Sequence, residues 1–177
     1  MRRFMLLAAT AALVACTPPQ QQTEPAPAPL PEPPPSATAC NAIAPNPAQA
    51  VTLSDEAVAV VSLPPELPGG PISPGVYDLT SGNRIGGAAG WQGARATALE
   101  VTEGGAGVAV NWAQVAGAET ERWTASFHQG PPAQLAFLCG RTGQSEIAFQ
   151  ASANELRLRM PDAGGTGQLF LVFRKRG

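Results

Sequence analysis

From Gly75 onward the chain repeats one constraint: apolar and polar residues alternate with a period of two, in short segments separated by turn residues. A period of two puts alternate side chains on opposite faces of a strand, and no segment keeps a 3.6-residue apolar period over three turns. Strands are predicted over 57–63, 75–80, 95–102, 107–112, 122–127, 134–139, 146–150, 155–160 and 168–173. Between them lie Gly-Gly, Asp, Asn and Pro positions such as Glu103-Gly104, Gly140-Arg141, Ala153-Asn154 and Asp162-Ala163-Gly164.

The alternation assigns faces. Leu99, Val101, Val108, Val110, Trp112, Trp123, Phe127, Leu135, Phe137, Ile147, Phe149, Leu156, Leu158, Met160, Leu169, Leu171 and Phe173 share the inward parity of their strands. Glu100, Asn111, Arg122, Thr124, Ser126, Glu146, Gln150, Arg157 and Arg159 take the other parity. One buried and one wet face, joined by hairpin-like links, indicates antiparallel sheet. The expected fold class is therefore all-β: a small antiparallel eight-stranded up-and-down barrel, with a β-sandwich as the alternative. Eight strands enclose only enough room for their own large side chains, so a packed core is expected in place of a roomy ligand cavity.

The N-terminus belongs to a different physical regime. Met1-Arg2-Arg3 is a positive n-region, and residues 4–12 are apolar but too short to span a bilayer as a permanent helix. They run into Leu13-Val14-Ala15-Cys16, which resembles the lipobox of bacterial lipoproteins. The resemblance implies a signal peptide over residues 1–15 and acylation of the Cys16 thiol, with the lipid bilayer as the first partner. In the lipoproteins this leader resembles, an Asp after the modified cysteine commonly retains the protein at the inner membrane. Thr17 in that place implies an outer-membrane anchor facing the periplasm.

Nine prolines crowd residues 17–39. Such a stretch buries no core, so residues 16–39 are expected to be a lipidated cysteine followed by a disordered or polyproline stalk. Residues 40–177 are long enough for one domain with its own core. With Cys16 acylated, Cys40 and Cys139 are left as an even pair in an oxidising compartment, so a disulfide between them is expected. Two separate buried thiols are the alternative.

Charge and motifs argue against most chemistry. Without Arg2 and Arg3 the chain carries 9 basic against 13 acidic residues, which suggests no nucleic-acid partner. A serine triad would need the single histidine, His128, oriented by a carboxylate and paired with an activated Ser, and the chain has no G-x-S-x-G, so no catalytic residues are expected and the chain reads as a non-enzyme. One histidine and two paired cysteines make a poor zinc set, and no metal or cofactor is expected. The loop glycines Gly82, Gly86, Gly87, Gly90 and Gly93 lack the lysine of a phosphate-binding loop. The carboxylates Asp55-Glu56 and Glu119 with Glu121 are ordinary surface features. Trp91, within that Gly-rich stretch, is the candidate partner-binding residue, either exposed as an anchor or folded back to plug a barrel end.

Gly75-Val76-Tyr77 opening the first barrel strand, eight meandering strands and a late Arg174 resemble the calycin-type small barrels, among them lipocalins and periplasmic protease inhibitors. That family's mark is Gly-x-Trp at the first strand, and here Tyr77 stands where the Trp would be. The resemblance implies a membrane-anchored, non-enzymatic, protein-binding or inhibitor-like domain of the cell envelope. A structural or assembly lipoprotein of the outer membrane is the alternative.

Overall fold

The computed structural model describes residues 40–55, 67–104, 107–164 and 166–177. A 3₁₀ turn at Pro47–Gln49 precedes β1 (Val51–Thr52), β2 (Ser54–Asp55), β3 (Pro68–Gly69), β4 (Gly75–Ile85), β5 (Ala94–Gly104) and β6 (Gly107–Ala116). Then come β7 (Glu119–His128), β8 (Ala133–Cys139), β9 (Gln144–Ala151), β10 (Glu155–Pro161) and β11 (Gln168–Lys175). From β4 to β11 each strand pairs antiparallel with the next, and β11 returns to pair with β4. That last pairing closes the sheet into an eight-stranded barrel and excludes the sandwich.

All eight strands expected from Gly75 onward are present, several of them longer than the alternation indicated: β4 continues to Ile85 and β6 to Ala116. The strand expected over 57–63 lies outside the described residues. The two-residue strands β1, β2 and β3 have no signature in the alternation.

The inward parity holds around the barrel. Every inward residue named above is buried except Val108 and Phe137, which are partly buried and packed against the core. Phe149, Leu158 and Leu171 sit in register on β9, β10 and β11. Trp112 and Trp123 stack at 5.1 Å, and Phe173 and Phe137 meet them edge-on. The void left among Leu99, Trp123, Phe127, Leu156 and Leu158 is about 10 Å³, space for at most one water. The interior is filled by its own side chains.

The outer face is not uniformly wet, and here the two-face expectation needs correction. Asp78, Ala98, Ala113 and Arg122 lie in one register row across β4, β5, β6 and β7. Ala98 and Ala113 are fully buried, and Ala96 and Asp78 nearly so. The cause is a strap formed by residues 40–50, which runs over the small alanine side chains and packs on β4 and β5. Asn41 Nδ2 donates to the carbonyls of Trp112 (3.1 Å) and Trp123 (3.0 Å). Arg122 donates to Ile43 O. At the other end of the row Arg176 holds both Asp78 oxygens at 2.6 and 2.7 Å and donates to Ala44 O at 2.8 Å. The hydrogen bond to Asp78 raises the guanidinium pKa further. The Cys40–Cys139 disulfide, with Cα atoms 5.5 Å apart, fixes the start of the strap to the end of β8.

One barrel end is sealed by chain. β3 pairs in parallel with β9 at Phe149 and Gln150, and Ile72, just after it, enters the core. Tyr77 is fully buried there, its hydroxyl donating to Ser73 O at 2.5 Å, and burial pushes the phenol's pKa up. Arg174, the late arginine of the barrel resemblance, lies in register with Asp78, and its side chain is 71% exposed. Arg176 meets Asp78 instead.

Candidate functional site

The opposite end, the mouth, is where β4 passes to β5, β6 to β7, β8 to β9 and β10 to β11. Near it the inward parity changes from apolar to polar: Arg95 and Thr97 on β5, Gln114 on β6 and Glu121 on β7 continue the inward rows of Leu99, Trp112 and Trp123. These residues fold into strands like their neighbours but end the core, because a barrel mouth is where an inward side chain reaches water again. Thr97 and Gln114 are nonetheless buried, and Thr97 Oγ1 has no hydrogen-bond partner among the described residues.

The loop after β4 folds back over this rim. Asp162, nine-tenths buried, accepts from the backbone N–H of Gly90 at 2.6 Å and of Gly164 at 3.3 Å. The two loops approach so closely that a Cβ on Gly90 would clash with Asp162 Oδ1 and meet Gly164 N at 2.7 Å. Glycine is required there by contact. The clamp sets Trp91 into the rim, where it is 3% exposed. Arg84 donates to Trp91 O, and the Arg95 guanidinium lies over the Trp91 ring at 5.2 Å, donating to Gly90 O at 2.9 Å.

Across the mouth, Arg141 pairs with Glu121 and lies over the Trp123 and Phe137 rings at 5.6 and 5.8 Å. Between the Arg95 and Arg141 sides opens a cleft of about 280 Å³, with Trp112, Met160 and Leu169 beneath it. That volume falls just short of the roughly 300–1,000 Å³ of small-molecule sites, and the lining is mixed, with Arg95, Gln114, Glu121, Arg141 and Asp162 around the apolar floor. A shallower groove continues outward past Arg95, Gln114 and Glu121.

No protein-family model, no curated protein and no solved structure matches this chain.

The structure brings one sequence-predicted site residue to the mouth. Trp91 is folded into the rim, so the exposed-anchor reading is corrected to the plug: its ring is covered by Arg95 and the loop clamp. His128 lies at the far end of β7 and is exposed, its Nε2 3.4 Å from Ser126 Oγ. Asp55 forms an ion pair with Arg84 at 2.9 Å. Cys40 and Cys139 are bonded to each other, and Cys16 lies outside the described residues. The sequence reading missed Arg95, Gln114, Arg141 and Asp162. For Arg95, Gln114 and Glu121 a signal was present: polar residues at inward parity mark the row where a core stops. Arg141 and Asp162 sit in loops, where no periodicity applies.

Proposed function

We propose that this chain is an envelope lipoprotein, anchored through acylated Cys16 at the outer membrane, whose barrel is a non-enzymatic, inhibitor-like binding module that meets a protein partner at its mouth. The observation that carries this reading is the contrast between a filled interior and an open cleft. A void of about 10 Å³ leaves nowhere to carry a cargo, whereas about 280 Å³ stands open at a rim braced by ring–cation contacts and the Asp162 clamp. Recognition surfaces favour arginine side chains held in fixed positions, and Arg95 and Arg141 are held so, Arg95 over the buried Trp91 ring and Arg141 over the Trp123 ring. The lipobox resemblance supplies the tether, and the proline-rich residues 17–39 supply reach.

Two experiments test the parts separately. Cys16→Ser should move the protein from the detergent phase to the aqueous phase while leaving the domain folded, because acyl chains contribute roughly 0.8 kcal/mol per buried methylene. A Cys16→Ser protein that still follows the membrane fraction would contradict lipid anchoring. Capture from a chemically cross-linked envelope should yield a soluble protease or hydrolase. Recovery of an integral assembly machine would replace inhibition with a structural role.

A further inference from the structure

The mouth cleft has an imbalance of hydrogen-bonding groups. Its two carboxylates are engaged: Glu121 by Arg141, and Asp162 by two backbone N–H groups. Arg95 has no carboxylate within 4.0 Å among the described residues; it donates only to the carbonyls of Gly90 and Gln92, through Nη2 and Nε. Its Nη1 makes no hydrogen bond there. The indole N–H groups of Trp91, Trp112 and Trp123 are all buried without a partner among the described residues, and the first two side chains line the cleft. A recess with a free guanidinium edge on Arg95, which lacks a counter-charge, above an apolar floor of Trp112, Met160 and Leu169 matches an acceptor-bearing group on an apolar body.

We propose that this cleft binds a carboxylate carried on an apolar residue-sized body, with Arg95 as the anion partner: the chemistry of an N-acylated amino acid or of a peptide's C-terminal residue. Carboxylate suits the free edge of a guanidinium, which offers a planar pair of donors. The cleft's size admits about one residue. The inference rests on the mouth being the binding face and adds what that face recognises.

The three tryptophans give three indole N–H signals in the full chain labelled with ¹⁵N-tryptophan and held in detergent micelles. N-acetyl-L-phenylalanine should shift the Trp91 and Trp112 signals more than that of Trp123, which does not line the cleft. The matching amide should bind at least tenfold more weakly. Arg95→Gln should lose tenfold or more for the acid, Arg95→Lys should recover part of it, and Arg174→Gln, on the exposed side of β11, should change nothing. An acetylated Ala-Ala-Phe acid binding more tightly than N-acetyl-phenylalanine identifies a peptide end as the source; equal affinity identifies a free small molecule. The inference is overturned if acid and amide bind alike, if Arg95→Gln binds as the parent does, or if the acid moves neither mouth signal. Partner capture through the mouth that persists under any of those results would leave the binding-module reading standing and remove only the carboxylate.

Discussion

Leu158→Ala lowers the unfolding free energy by about 2–5 kcal/mol, whereas Arg157→Ala and Arg159→Ala each stay within about 1 kcal/mol of the parent. Leu158 is 4% exposed, paired in register with Leu171 and Phe149, and it borders a void of about 10 Å³. Deleting its methyls removes transfer free energy and leaves a cavity that a closed barrel, bonded on both sides of every strand, collapses poorly. Against a typical total of about 5–15 kcal/mol this is a large loss. Arg157 points the other way and makes only a partly exposed ion pair with Glu155 at 2.8 Å, the kind worth about 0.2–1 kcal/mol. Denaturant midpoints for the three variants check the assignment. Equal losses for Arg157→Ala and Leu158→Ala would contradict the inward and outward faces of β10.

Removing the Cys40–Cys139 bond has an effect of similar size by a different route. The cysteines are 99 residues apart in sequence, and chain-entropy models give about 4–5 kcal/mol for closing a loop of that length. The cross-link also holds the strap that covers Ala98 and Ala113 and satisfies the carbonyls of Trp112 and Trp123 through Asn41. A Cys40→Ala/Cys139→Ala protein should unfold at a much lower denaturant concentration than the oxidised parent. A midpoint unchanged by the double substitution, or two free thiols in the unfolded, unreduced parent, would contradict this account.

The sequence made the barrel legible because its governing physics is local. A strand whose two faces meet different solvents must alternate, so β10 could be read from Leu156, Leu158 and Met160 before any partner strand was known. The closing pairing of β4 with β11 was an expectation of strand count. The strap was not legible, since its effect on sequence is only that Ala96, Ala98 and Ala113 are small, and alanine on an outer face is unremarkable in a sequence. The mouth was half legible. Trp91 stood out as a large aromatic in a glycine-rich loop, but its burial depends on Asp162, 71 residues away, reaching the Gly90 N–H. Loop-to-loop contacts of this kind leave no period to read, which is why Asp162 and Arg141 escaped notice.

The claim that the mouth is the working face has one most direct measurement. A photo-cross-linking amino acid is placed in the full chain at Gln92, exposed beside Trp91 on the rim, and separately at Gln129, exposed at the sealed end. Irradiation of intact cells should give a discrete protein adduct from position 92 and none of comparable yield from position 129. Adducts from position 129 alone, or equal yields from both ends, would contradict the account.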